Sequence, residues 1–178
     1  MRKRLPCCTG EIQWTLPQWV TAAVAVAAGF IAIWNIRSQR EIARKRAAFD
    51  VFLKTETDEK MLTAYDNFHT GIIEMKNATS VEEFCTSELT RPHYLWIRKY
   101  LNVHELIAVG IRENVLDSNV CYSYWADTLT NGYSDASPVL DFVRNRPRNR
   151  YTYSDLAALN AEWLKRKEKA TRTGASTA

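Results

Sequence analysis

The sequence predicts an all-α protein: one N-terminal transmembrane helix followed by a small helical bundle or array. Three observations carry that expectation. From Ile12 to Ile36 no residue is charged, and a stretch of that length and polarity is what crossing a bilayer demands. Beyond it, apolar residues recur at helical spacing in segment after segment. Nowhere does a sustained alternation of apolar and polar residues run between turn dipeptides, as a strand-built domain requires.

The chain is 46% hydrophobic and 25% charged, the balance of a globular protein rather than a disordered one. The residues beyond the span suffice for one domain, and no internal repeat is visible. Net charge is +4, unevenly spread. Residues 1–50 carry eight Lys/Arg against three acids, residues 51–135 seven against thirteen, and residues 136–178 nine against four. A nucleic-acid binder would carry positive charge across its folded face, so nucleic acid is not the expected partner. Basic blocks around an acidic body fit a lipid bilayer with anionic lipids at least as well.

Residues 1–13 form a short basic tail in which Cys7 and Cys8 read as free thiols, with lipidation as the alternative. Residues 14–36 are the transmembrane helix. Pro17 suits its first turn, and the twenty residues from Pro17 to Ile36 span roughly 30 Å of hydrocarbon. Trp14 and Trp19 mark one interface and Trp34 the other. A cleaved signal peptide is disfavoured, because the apolar run continues past Ala25-Val26-Ala27 and meets a stop-transfer flank. That flank is Arg37, Arg40, Arg44, Lys45 and Arg46, and its excess of positive charge favours a cytoplasmic C-terminal domain. Thr21, Ala25 and Gly29 repeat at four-residue spacing, a candidate transmembrane dimer face. An alanine-rich span makes such pairs at any register, so a homo-oligomer stays open.

Residues 37–54 predict a basic juxtamembrane helix, its five charges worth about 1 kcal/mol each near an anionic leaflet. The soluble helical domain covers 55–170. Thr55 and Thr57, with Asp58 and Glu59, suggest a helix start, and Met61, Tyr65, Phe68 and Ile72 outline its apolar stripe to about Asn77. Ser80-Val-Glu-Glu83 is a capping box. Pro92 interrupts the segment after it, and a stronger helix is expected from about His93 to Asn114. Asp117 begins the next, closed by Asn131-Gly132. Ser137-Pro138 opens another to about Asn145. Arg146–Arg150 is a loop, Ser154-Asp155 caps a last helix to about Lys169, and 171–178 is expected to be a disordered tail. Cys85 and Cys121 lie in apolar helical context and read as small buried hydrophobes, not a bridge.

No catalytic, cofactor-binding or metal-ligating set emerges, and no cofactor is expected. His104-Glu105 has the form that opens a zinc-protease helix, but the second histidine it needs is Ala108. His69, His93 and His104 share no ligand spacing. Asp66, Glu74, Glu82, Glu83 and Glu88 read as a solvated acidic face, and Glu56, Asp58 and Glu59 as complements to a helix dipole. The tyrosines and tryptophans fall at helical spacing and read as core. Arg144, Arg146, Arg148 and Arg150 form a candidate site for an anionic partner, with Lys165, Arg166, Lys167 and Lys169 as another basic cluster. Solvated loop and helix-end charge explains both somewhat more simply.

The stretch Lys99-Tyr-Leu-Asn-Val-His-Glu-Leu-Ile-Ala-Val-Gly-Ile-Arg-Glu-Asn-Val-Leu-Asp117, with Arg91, Trp125 and Asp141-Phe-Val-Arg144, resembles a bacterial and prophage family known as domain of unknown function 4760. The likeness covers roughly residues 12–165. It implies a membrane-anchored helical protein and brings no activity, cofactor or catalytic residue. Asn114 departs from the pattern, where a glycine is expected to close the helix before Val115. By analogy, prophage association suggests an interaction or regulatory module serving host modification or phage exclusion through an unknown protein partner. An enzyme with an unrecognised helical active site, or nucleic-acid binding through the C-terminal basic clusters, are the alternatives.

Overall fold

The computed structural model describes residues 16–175, with side chains for 18–172. The basic tail 1–13, with Cys7 and Cys8, and Trp14 lie outside the described residues, as do 176–178. Among the described residues there are seven helices and no strand. The chain divides into two units, Met1–Glu41 and Ile42–Ala178.

The first unit holds the opening of α1 (Leu16–Thr57). Its apolar residues are exposed, Phe30 at 71% and Trp34 at 75%. The span and the basic juxtamembrane helix that the sequence predicts form one continuous helix of 42 residues. Nothing from Phe30 to Thr57 is glycine or proline, so no residue there breaks the backbone ladder.

The second unit begins with the last turns of α1, which contribute buried Ala48 and Phe52. Thr55 and Thr57 end this helix instead of starting the next. Their hydroxyls donate back to Phe52 O (2.8 Å) and Leu53 O (2.6 Å). The true cap of α2 (Glu59–Asn77) is Asp58, whose carboxylate accepts from Lys60 N at 2.9 Å and Met61 N at 3.3 Å. Ser80 caps α3 (Val81–Thr86) by accepting from Glu83 N at 3.1 Å. Pro92 does not interrupt a helix but sits in the first turn of α4 (Arg91–Arg112), where its missing N–H costs nothing. Asn114 comes next at φ 57°, and Val115 and Leu116 both donate to Gly110 O.

Asp117 caps α5 (Ser118–Asp135) through Asn119 N and Val120 N. This helix runs straight through Asn131-Gly132, which the sequence suggested as its end. The reason is packing. A Cβ on Gly132 would lie 2.2 Å from Tyr100 Oη, so the glycine clears space for a neighbouring ring. Tyr100 then stacks on Phe68 at 3.7 Å and donates its hydroxyl to Thr128 O. The short α6 (Ser137–Arg144) and the long α7 (Ser154–Ala175) complete the body. α7 passes position 171, where an unstructured tail was expected.

α4 is the central element, packing on α2, α3, α5 and α7. Its own Ile97 and Leu101 are fully buried, as are Leu129, Leu140, Leu156 and Trp163 from other helices. Each such side chain contributes roughly 1.5–3 kcal/mol in area removed from water. Cys85 and Cys121 are free and buried, as their context predicted. Burial pushes their thiols up, to about 11 for Cys85 and about 12 for Cys121.

Candidate functional site

The apolar stretch of α1 is long and apolar enough to cross a membrane: its best window has a mean hydropathy of 1.8, and none of it is buried. Trp19 and Trp34 are fifteen residues apart, so about 22 Å of helix separates them. Arg37, Arg40, Lys45 and Arg46 come after it on exposed positions, whereas Arg44 is partly buried, with Nε enclosed and lacking a hydrogen-bond partner. Thr21, Ala25 and Gly29 are exposed, and no atom lies within 4 Å of where a Gly29 Cβ would be.

In the helical body, α4 separates the two residues of the His104-Glu105 pair. His104 is 1% exposed, its Nδ1 set 2.9 Å from Tyr100 O. A carbonyl only accepts, so Nδ1 carries the proton and donates. Nε2 is buried with no partner. Around it stand Tyr100, Tyr65 and Trp125, with ring centroids 4.0, 6.0 and 6.4 Å away. Burial lowers the His104 pKa from 6.5 to about 4, outweighing the backbone bond that raises it. The imidazole is therefore neutral across the physiological range.

Glu105 does something unrelated. Its carboxylate accepts from Leu156 N at 2.7 Å and Asp155 N at 3.4 Å, capping α7 from a different helix. The sequence assigned that cap to Ser154-Asp155. Ser154 is instead the first residue of the helix, and Asp155 pairs with Arg112. Ala108, where a zinc-protease helix needs histidine, is buried in the core. Among the described residues no group of three or more His, Cys, Asp or Glu could hold a metal ion.

The arginines of the 144–150 cluster part ways. Arg144 turns inward: Nε donates to Thr152 O (3.0 Å), Nη2 to Tyr153 O (2.8 Å) and Nη1 to Tyr133 Oη (3.2 Å). It staples the loop between α6 and α7. Arg146 lies over the Phe142 ring at 4.7 Å, and Arg146, Arg148 and Arg150 are exposed. The same loop ends on Tyr153, a non-glycine residue at φ 62°. Its hydroxyl accepts from Arg98 Nε at 2.7 Å and donates to Asn102 Oδ1 at 2.8 Å. Those bonds and a buried ring offset the roughly 1–3 kcal/mol of a left-handed backbone. In the last basic cluster, Arg166 stacks on Tyr122 at 3.8 Å and Lys167 pairs with Asp127 at 2.6 Å.

Two surface features went unread in the sequence. One is the outer face of α4, where Leu95 and Leu106 are 52% and 72% exposed beside Arg91, Lys99 and Asn102. The other is a cleft joining α1, α2 and α5, lined by Glu56, Tyr65, Asp66, Tyr124 and Trp125. No local pattern announces either, since each draws on residues whose spacing also fits core or solvated surface.

No curated protein and no solved structure matches the chain. Residues 22–163 match the family described as Domain of unknown function (DUF4760). That match takes in α1 from Ala22 onward, with most of the apolar stretch, all of α2 to α6 and the buried half of α7, and the chain belongs to this family.

Proposed function

We propose that the protein is a single-pass protein of the bacterial inner membrane whose helical body serves in the cytoplasm as an interaction module. The observation that carries this reading is the exposed apolar stretch of α1. A core helix of a soluble protein would be covered by its neighbours, and one left bare in water would incur the cost of solvating a large apolar patch. The bilayer removes that cost. Arg37, Arg40 and Arg46 support it, standing exposed just past the apolar run where anionic headgroups would meet them.

The outer face of α4 supports the interaction role. Exposed leucines spaced along one helix face, flanked by Arg91 and Lys99, suit a protein partner better than bulk water. Thr21, Ala25 and Gly29 allow a second copy to pair within the bilayer. The resemblance to a bacterial and prophage family suggests, by analogy only, a role in host modification or phage exclusion.

The reading is tested with reporter fusions at both ends in intact bacterial cells, together with a variant lacking residues 14–36. The C-terminal reporter should report cytoplasm and the N-terminal one the outside. Phage plating efficiency on expressing cells should fall with the full chain and recover with the shortened one. Full effect from the shortened chain, or an external C-terminus, would contradict the proposal.

A further inference from the structure

A cleft of about 640 Å³ opens where the end of α1, α2 and α5 meet. Its lining is mainly aromatic and acidic, with Leu62, Thr55 and Thr128 completing it. Tyr65, Tyr124 and Trp125 contribute aromatic rings, Glu56 and Asp66 contribute carboxylates, and no lysine or arginine takes part. Tyr124 is 44% exposed, backed on one side by Phe52 at 4.4 Å, and donates its hydroxyl to Glu56 Oε1 at 2.5 Å. That bond fixes the carboxylate beside the ring. Tyr65 Oη is buried with no hydrogen-bond partner. Burial first, and then the Glu56 charge, push the Tyr65 phenol up to about 12, so it stays neutral and its ring face electron-rich.

The cleft is the wrong size and chemistry for a bare metal ion, which needs several oxygen donors packed closely around it. It is the wrong sign for an anion. We infer that it binds a small organic cation of the quaternary-ammonium class, with the Tyr124 and Tyr65 rings beside the diffuse positive charge, Trp125 buried behind them and Glu56 and Asp66 balancing it. A lipid headgroup would bring the same ammonium attached to a phosphate, which the two carboxylates repel. A free cation is the occupant this lining selects.

Calorimetric titration of the full chain in an alkyl-maltoside detergent tests the assignment with three probes. These are choline, phosphocholine and neopentylcarbinol, the alcohol in which carbon replaces the charged nitrogen. Choline should bind at least about tenfold more tightly than the neutral alcohol, and more tightly than phosphocholine. Glu56→Gln should weaken choline about tenfold and leave the alcohol unchanged, while Tyr124→Ala should weaken both. Both positions are exposed, so the variants should fold. Phosphocholine binding more tightly than choline would overturn the free-cation assignment in favour of a headgroup. Choline binding no more tightly than the alcohol, no binding at all, or an unchanged choline affinity in Glu56→Gln would overturn the site itself.

Discussion

Glu105 on α4 accepts the backbone N–H of Leu156 on α7 at 2.7 Å. One helix thus supplies the cap of another, and two helices that already share the core are tied at a defined register. The orphan N–H groups of a helix start must be satisfied somewhere, and here a carboxylate 51 positions earlier in the chain does it.

Removing that carboxylate should loosen α7 without disturbing α4. Glu105→Ala leaves two N–H groups unpaired, at an expected cost of about 1–2 kcal/mol. Denaturant unfolding in detergent measures the loss, and amide exchange should accelerate first at Asp155 and Leu156. An unchanged midpoint would show that the cap carries no weight.

His104 gives the body a pH dependence whose sign is fixed by burial. Its folded-state pKa, about 4, lies below the ordinary 6.5, so between those values the unfolded chain binds the extra proton. Stability from this group is complete above 6.5 and is lost as pH falls towards 4, by up to about 1.4 kcal/mol per unit. Unfolding of the native chain and of His104→Leu across that window should diverge in slope, the variant being the flatter. Parallel slopes would place the pH dependence elsewhere.

Gly132 and Tyr100 form a tight pair. Gly132→Ala would place a methyl against the phenol, and an overpacked core position costs about 1–3 kcal/mol. Tyr100→Phe removes the oxygen at 2.2 Å but leaves ring carbons at 2.8 and 2.9 Å. The double variant should therefore lose less than the sum of the two single ones while staying below the native chain. Strict additivity would mean that the two residues are independent.

Arg144 and Arg148 look alike in the sequence and differ in the fold. Arg144→Ala forfeits three hydrogen bonds and frees the loop before α7, an expected loss of about 2 kcal/mol or more. Arg148→Ala, at an exposed position, should stay within about 0.5 kcal/mol of native. Equal effects from the two would contradict the inward role of Arg144.

Local patterns were legible in the sequence, and features built by tertiary contact were not. The apolar stretch, the caps at Ser80 and Asp117 and the buried free Cys85 and Cys121 could be read because each is set by a short run of residues. Asn131-Gly132 carries a turn signal that a tertiary contact with Tyr100 overrides, so α5 runs past it to Asp135. The cap on α7 was hidden for the same reason, since Glu105 is remote in sequence. Asn114 breaks the family's expected glycine yet adopts φ 57°. Asparagine tolerates the left-handed region better than other non-glycine residues, so the turn survives the change. The cleft was invisible because Glu56 and Asp66 read locally as dipole and surface charge, and Tyr124 and Trp125 as core. Only the packing of three helices brings them together.

The most direct test of the membrane assignment is alkaline carbonate extraction of membranes from bacteria expressing the full chain, with an immunoblot of pellet and supernatant. A chain anchored by the exposed apolar stretch of α1 stays in the pellet, and one lacking residues 14–36 moves to the supernatant. Release of the full chain by carbonate would mean that α1 does not cross the bilayer, and the anchored-module reading would fall with it.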